Sequence, residues 1–233
     1  MNVIKAVSER RHSGFYIFIA LACLQLIAVA FNIEGLRFIT KPLLMPVLAV
    51  AVYYNSTSQK RSYIIAALFF SFIGDSFLLL EKREPLFFIF GLASFLITHI
   101  LYTIYFLRLK QIHPSPLKTN WYIFLLILFY GAGLVFLLYP LLGALKIPVL
   151  LYATIICLML ISSFHVYKSV APATGLQFIT GALLFVISDS FLAINKFYQP
   201  FQLAPFLIML TYCAAQFLIA RGFTSQEGKF ITS

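Results

Sequence analysis

Residues 72–79 read Phe-Ile-Gly-Asp-Ser-Phe-Leu-Leu, and residues 186–193 read Val-Ile-Ser-Asp-Ser-Phe-Leu-Ala. These two stretches contain the only aspartates of the 233-residue chain, Asp75 and Asp189, and each lies inside a long apolar run. A charged side chain in hydrocarbon costs about 2.5–3.5 kcal/mol on insertion scales, so such a residue usually has a function. Because the same costly arrangement occurs twice, we expect two functional carboxylates inside a membrane.

The composition places the chain in the class of multi-pass membrane proteins. Hydrophobic residues make up 62% of it and charged residues 10%, with a mean hydropathy of +0.97, whereas a soluble domain carries about 25% charged residues. The net charge of +10 comes from Lys and Arg residues between the apolar runs, where basic side chains set topology and contact lipid headgroups. We therefore expect membrane lipids as partners and no nucleic acid.

Eight apolar runs are each close to the roughly 20 residues that a helix needs to cross a bilayer. They lie at about residues 14–31, 38–54, 62–80, 86–107, 121–139, 147–166, 175–194 and 203–221. The connections between them are short and leave no room for a soluble domain. We predict an all-α polytopic membrane protein with eight transmembrane helices, which form a single helical-bundle domain over residues 1–233.

The first two runs carry competing signals. Basic residues precede the first run, which ends in Ala28-Val29-Ala30, and this pattern is also that of a signal peptide with its cleavage site. The run is long for a signal peptide, and its loss would leave an odd number of spans, so we predict that it is retained as a helix. In the second run, Pro42 and Pro46 interrupt the start.

Basic residues are unevenly distributed over the two predicted sides of the membrane. The side that carries the N-terminus has 11 Lys and Arg residues, and the opposite side has 6. The positive-inside rule therefore places both termini in the cytoplasm. We predict an integral, multi-pass protein of a bacterial-type inner or plasma membrane.

The two aspartate motifs indicate an internal repeat. Asp75 and Asp189 are 114 positions apart, and at that offset residues 73 and 75–78 are identical to residues 187 and 189–192. The motifs lie in the third and seventh predicted helices, which gives a parallel repeat of four plus four helices with halves at about 1–110 and 118–233. Both aspartates then lie at similar depth in the outer half of the membrane, which permits one shared site.

Two carboxylates that face one cavity can carry out acid/base hydrolysis. Apolar surroundings and a like-charged neighbour keep one of them protonated, while the other stays ionised. Asp75 and Asp189 are therefore the candidate catalytic residues. The alternative is that each aspartate only holds helices together through hydrogen bonds.

Seven further polar residues are candidates for binding or supporting roles. They include a basic residue at the start of the second helix, two pairs with helical spacing, and the two serines that follow the aspartates: Lys41, His99 with Tyr102, Tyr212 with Gln216, Ser76 and Ser190. On a helix the two serines point about 100° away from the aspartates, so an aspartate-activated serine nucleophile is not expected. His99 can instead bond a neighbouring carbonyl, and Lys41 can extend to the headgroups.

The remaining reactive residue types show no recognisable site. Cys23, Cys157 and Cys213 are odd in number, lack a CxxC pairing and do not cluster with histidine, so neither a disulfide framework nor a zinc site is predicted. The charged residues of 81–84 are interpreted as a solvated loop. We expect no metal and no cofactor.

Taken together, these motifs resemble the lysoplasmalogenase (YhhN-like) family. The resemblance rests on residues 41–46, which read Lys-Pro-Leu-Leu-Met-Pro, on the two aspartate motifs, and on the pairs His99 with Tyr102 and Tyr212 with Gln216. It spans nearly the whole chain and implies an integral membrane hydrolase that cleaves the vinyl ether bond of lysoplasmalogens. The implied products are a fatty aldehyde and a glycerophospho-base, and a related ether lysolipid is an alternative substrate.

Vinyl ether hydrolysis needs a general acid and a carboxylate that stabilises a cation or activates water, as in glycosidases. Asp75 and Asp189 fit these two roles in either order. Lys41 is expected to bind the lipid phosphate, and His99 or Tyr102 to orient water.

Two other functions remain open at this point. A proton- or cation-coupled transporter would use both intramembrane aspartates near a repeat interface. A non-catalytic lipid-binding membrane protein would use neither for chemistry. The sequence leaves the headgroup preference, the oligomeric state and the route of lipid entry undetermined.

Overall fold

A computed structural model describes the backbone of residues 2–112 and 121–228, and the side-chain surroundings of residues 13–112 and 121–226. Within these residues the chain is helical and contains no β-strand. Eight of the described helices are long and apolar enough to cross a membrane. The predicted all-α membrane fold with eight transmembrane helices is therefore confirmed.

The helices follow the apolar runs closely, with ends that differ from the predicted ones by a few residues in most cases. Their bounds are α1 Asn2–Ala30, α2 Glu34–Asn55, α3 Arg61–Leu79, α4 Pro85–Ile112, α5 Trp121–Leu138, α6 Lys146–Tyr167, α7 Pro172–Ala193 and α8 Ala204–Gly228. Short 3-10 turns at Tyr139–Leu141 and Gly143–Leu145 join α5 to α6.

Helix α2 contains both Pro42 and Pro46 and still runs for 22 residues. It begins at Glu34, four residues before the predicted start, and both prolines lie inside it. Transmembrane helices tolerate proline when neighbouring helices and hydroxyl side chains satisfy the freed backbone groups. The early start brings Glu34 and Arg37 onto the helix itself.

Helix α7 does not end in the loop that was predicted from Asn195 onward. It continues as a π-helical turn over Ile194–Tyr198, and Asn195 Oδ1 accepts a hydrogen bond of 3.2 Å from the backbone N–H of Phe201. π-Helical turns are rare in proteins, and those that occur are often found at functional sites. Here the turn follows the Asp189 motif directly.

Large apolar side chains are exposed along most of the helices. Helix α5 is an extreme case, since only Ile127 and Leu138 are buried on it, and Phe136 is 84% exposed. Such a surface is stable against lipid tails and unfavourable in water. The chain is thus an integral, multi-pass membrane protein, and its orientation remains a prediction.

Contacts between Cα atoms divide the chain into two compact units. The first unit comprises Met1–Leu101 with Phe223–Ser233, and the second comprises Tyr102–Gly222. Each unit is described by itself below. The single bundle domain and the parallel repeat with halves at about 1–110 and 118–233 remain predictions.

Candidate functional site

In the first unit, Asp75 is paired with Lys41. The ammonium Nζ of Lys41 on α2 lies 3.5 Å from Oδ1 of Asp75 on α3, and their side chains are only 13% and 3% exposed. Burying two charges is costly, and the cost is offset only when the two groups are paired. The structure therefore places two of the predicted site residues, Lys41 and Asp75, in direct contact.

Lys41 also borders a cavity of about 280 Å³ between the first turns of α2 and the end of α3. We call this cavity the α2–α3 pocket. Its lining contains three apolar side chains, Phe38, Leu78 and Leu79, and six charged ones, Glu34, Arg37, Lys41, Glu81, Lys82 and Arg83. The pocket thus has four basic and two acidic side chains, and Lys41 connects it to Asp75.

Most of these charged residues were not predicted site residues. Residues 81–84 were interpreted as a solvated loop, and Arg37 preceded the predicted second helix. The sequence signal that could have linked Arg37 to Lys41 is their spacing of four residues. Because α2 begins at Glu34, both residues are helical and lie on one face. The loop after α3 also lies against this face of α2, and this contact could not be predicted from the sequence because it depends on how the helices pack.

Helices α3 and α4 pack closely on the segment of α3 that carries Asp75. A methyl group added to Gly74 would lie 2.7 Å from the ring of Phe95, so only glycine permits this contact. One helical turn before Asp75, Ser71 Oγ lies 3.1 Å from Thr98 Oγ1 of α4. Two turns before Asp75, the carbonyl oxygen of Ala67 accepts a hydrogen bond from Thr98 Oγ1. His99 is fully buried on the same segment of α4.

In the second unit, Asp189 is held by a tyrosine. The hydroxyl of Tyr152 on α6 donates a hydrogen bond of 2.5 Å to Oδ2 of the half-buried Asp189 on α7. Tyr152 was not among the predicted site residues. No short sequence motif surrounds Tyr152. Its hydrogen bond to Asp189 becomes apparent only when α6 and α7 are packed together.

The serines that follow the aspartates bond mainly to their own helices. Ser76 Oγ donates to the carbonyl oxygen of Phe72 at 2.8 Å, and Ser190 Oγ donates to that of Val186 at 2.7 Å. Ser190 also accepts a hydrogen bond of 2.8 Å from the hydroxyl of Tyr130. The hydroxyls of both serines are thus bonded to the backbone of their own helices.

A second buried polar pair in this unit joins α4 and α8. The hydroxyl of Tyr102 donates a hydrogen bond of 2.6 Å to Oε1 of Gln216, and both side chains are fully buried. Tyr212 is also buried and packs edge-on against Phe185 at a centroid distance of 5.6 Å. The sequence paired Tyr102 with His99 and Tyr212 with Gln216 by spacing, whereas the hydrogen bond links Tyr102 to Gln216.

The surroundings of the two aspartates follow one scheme within each unit. Asp75 on α3 takes its partner from α2, and Asp189 on α7 takes its partner from α6. The partners differ in chemistry, since Lys41 supplies a charge and Tyr152 supplies a neutral hydroxyl. These two contacts distinguish the environments of the two carboxylates.

Potential metal ligands do not gather within the described residues. No group of three or more His, Cys, Asp or Glu side chains occurs there, and Cys23, Cys157 and Cys213 form no disulfide.

Comparisons with known proteins agree with the resemblance seen in the sequence. The model of the YhhN family matches residues 36–223. Lysoplasmalogenase TMEM86A from Bos taurus is 35% identical over 176 residues, which cover 74% of this chain and 70% of the relative. A protein named lysoplasmalogenase from Mycobacterium bovis is 29% identical over 179 residues, covering 76% and 66%.

A further relative has a name that states no activity. The uncharacterized membrane protein YhhN of Escherichia coli O157:H7 is 26% identical over 188 residues, which cover 79% of this chain and 86% of the relative. No solved structure gives a significant match. The names of the first two relatives agree with the prediction of an enzyme.

Proposed function

The chain belongs to the YhhN family, and on this basis we propose that it is a membrane hydrolase that cleaves the vinyl ether bond of lysoplasmalogen or a related ether lysolipid. The products would be a fatty aldehyde and a glycerophospho-base such as glycerophosphoethanolamine. Two of the relatives carry the name lysoplasmalogenase, which supports this substrate class. The lysolipid would come from the surrounding membrane.

The observation that carries the proposal is the buried pair of Lys41 and Asp75 beside a charged pocket. A lysolipid has a polar headgroup next to its ether linkage and an apolar chain beyond it. A binding site for a lysolipid needs polar groups near the membrane interface for the headgroup, and reactive groups deeper in the membrane at the level of the ether linkage. The first unit has both features along α2 and α3.

The reaction itself needs no group beyond water and two carboxyl groups. A carboxylic acid transfers its proton to the β-carbon of the vinyl ether, which leaves an oxocarbenium ion at the carbon that bears the ether oxygen. Water adds to that carbon and gives up a proton to the second group, a carboxylate. The hemiacetal then collapses: its hydroxyl returns a proton to the group that acted as the acid, and the glycerol oxygen takes the proton held by the second group. The glycerophospho-base leaves as the alcohol, the chain leaves as the aldehyde, and both carboxyl groups regain their starting states.

We assign the carboxylate role to Asp75 and the acid role to Asp189. Lys41 offsets the negative charge of Asp75 at 3.5 Å, which suits a group that stays ionised beside a cationic intermediate. Asp189 has a neutral hydroxyl donor, Tyr152, on one oxygen, and its other oxygen would carry the transferred proton. That both groups act on one substrate is part of the proposal.

Buried polar groups near the middle of α4 and α8 would assist. Tyr102 and Gln216 form a hydrogen-bonded pair, and His99 is buried on α4. Such groups hold water in place inside an apolar protein. We propose that His99 or the Tyr102–Gln216 pair orients the attacking water.

The test is a product analysis with the purified full-length protein in detergent. A lysoplasmalogen, its saturated alkyl ether analogue and an ester lysolipid of the same chain length are incubated separately in D₂O. We expect aldehyde only from the vinyl ether, with one deuterium at the carbon next to the carbonyl. Absence of aldehyde together with ion flux in protein-containing liposomes would overturn the proposal in favour of a transporter.

A further inference from the structure

We propose that the α2–α3 pocket binds the zwitterionic headgroup of the lysolipid, with its phosphate against Arg37, Lys82 and Arg83 and its amine against Glu34. This inference rests on the proposed function and deepens it by naming the residues that bind and select the headgroup. None of these four residues was a predicted site residue. The argument has three parts: size, charge and depth.

The size of the pocket suits a headgroup and not a whole lipid. Its volume of about 280 Å³ lies at the lower limit of the roughly 300–1,000 Å³ that small-molecule sites occupy. The pocket lies where α2 begins and α3 ends, which is where apolar spans meet the polar interface. A lipid bound here would leave its chain to the apolar surface of the helices.

Three of the four basic side chains that line the pocket have no ion-pair partner among the described residues. Within the described residues, no carboxylate lies within 4.0 Å of Arg37, Lys82 or Arg83. The Nε atom of Arg37 is buried and has no hydrogen-bond partner there, although buried donors are nearly always satisfied. A phosphate supplies acceptor oxygens that match a guanidinium and two further cations.

The acidic side chains argue for a positive group on the same ligand. Lys41 is already paired with Asp75, so the pocket presents three other cations together with Glu34 and Glu81. The exposed carboxylate of Glu34 favours a ligand that carries a positive group beside its phosphate. Glu34 forms no ion pair within 4.0 Å in the described part of the chain, and an ammonium group would fill that role.

The distance between the pocket and Asp75 along α3 matches the distance between the phosphate and the ether linkage of a lysolipid. Leu78 and Leu79 line the pocket, and they follow Asp75 by three and four residues on α3, which is about one helical turn of 5.4 Å. The glycerol unit of a lysolipid separates phosphate and ether by three carbons, a span of similar size. A phosphate in the pocket therefore brings the ether linkage to the level of Asp75.

The test measures binding without turnover. Saturated alkyl ether lysolipids lack the double bond that the proposed chemistry protonates, so they bind without being cleaved. Titration calorimetry of the full-length protein in dodecyl maltoside is carried out with three of them: alkyl glycerophosphoethanolamine, alkyl glycerophosphate and alkyl glycerol. Soluble glycerophosphoethanolamine and inorganic phosphate are titrated in the same way as ligands without a lipid chain.

We expect the wild-type protein to bind alkyl glycerophosphoethanolamine most tightly. Arg37→Gln and the double variant Lys82→Gln/Arg83→Gln should each weaken binding of both phosphate-bearing lipids by about tenfold, the effect of one lost charge-assisted hydrogen bond. Binding of alkyl glycerol should not change. Glu34→Gln should weaken only the lipid that carries an amine.

The matched control is Lys60→Gln, which removes a positive charge just before the opposite end of α3. It should leave all three affinities unchanged. Equal losses for alkyl glycerol, or no loss in the Arg37 and Lys82/Arg83 variants, would overturn the headgroup assignment. Binding of inorganic phosphate as tight as that of the lipid would also overturn it, since the pocket would then be a general phosphate site.

Activity separates this inference from the proposed function. If wild-type protein releases aldehyde and the pocket variants bind every lipid normally, the pocket assignment fails and the hydrolase stands. If no aldehyde appears while the pattern of affinities is as expected, the hydrolase fails and the headgroup site stands.

Discussion

The ammonium of Lys41 lies 3.5 Å from the carboxylate of Asp75, and less than one seventh of either side chain is exposed. The pair links a helix start at the interface to a carboxylate in the interior of the first unit. Breaking a buried ion pair by removing one partner leaves an uncompensated charge. The pair is therefore a stability element as well as a candidate part of the site.

Lys41→Met should lower the free energy of unfolding by about 3–5 kcal/mol, because it leaves Asp75 buried without its cation. The measurement is thermal or denaturant unfolding of the purified protein in detergent. The double variant Lys41→Met/Asp75→Leu removes both charges and should recover most of the loss. Wild-type stability in the single variant would contradict the importance of this ion pair.

Asp75→Asn and Asp189→Asn should each reduce aldehyde release by about 100-fold or more, the usual contribution of a general acid or base. Both variants should remain folded in detergent at the assay temperature, as judged by size-exclusion chromatography, although Asp75→Asn should be less stable than the wild type because Lys41 loses its counter-ion. Glu84→Gln, which neutralises an exposed carboxylate of the loop after α3, is the matched control and should retain activity. Full activity in both aspartate variants would refute the two-carboxylate mechanism.

Tyr152→Phe should lower kcat by about tenfold with little change in KM, because it removes the hydroxyl that donates to Asp189 and not a contact to the lipid. The measurement is steady-state kinetics with lysoplasmalogen. Tyr130→Phe, which removes a comparable bond to Ser190, is the control and should change kcat much less. An increase in KM alone would mean that Tyr152 binds substrate and does not position Asp189.

Gly74→Ala should destabilise the protein, because the added methyl group would lie 2.7 Å from the ring of Phe95. The ring must shift, and overpacking of this kind costs about 1–3 kcal/mol. Gly133→Ala on α5 is the control, since nothing lies within 4 Å of its added methyl group, and alanine is the better helix former. Equal unfolding temperatures for the two variants would contradict the close contact at Gly74.

Most of the fold was predictable from residue types alone. A bilayer requires each span to satisfy its own backbone hydrogen bonds, so apolar runs of sufficient length become helices almost regardless of their neighbours. The start of α2 is the exception. Pro42 and Pro46 pointed to an interruption, but inside a membrane protein the groups that a proline frees find other partners, and the helix begins at Glu34.

The candidate site was predictable only in part. Asp75 and Asp189 stand out because a carboxylate in an apolar run is rare and costly. Tyr152 could not be found in this way, since tyrosine is common in such runs and its role depends on which side chain it meets. The same holds for Arg37, Lys82 and Arg83, which look like ordinary interfacial charges until a pocket gathers them.

The sequence by itself determined the eight spans and the two aspartates that set this chain apart, because hydrocarbon penalises every exposed polar group by an amount that residue type decides. Only the tertiary structure decided the partners: Lys41 for Asp75 and Tyr152 for Asp189. Partner choice depends on how neighbouring helices rotate and pack, and that is settled by the fit of many side chains at once.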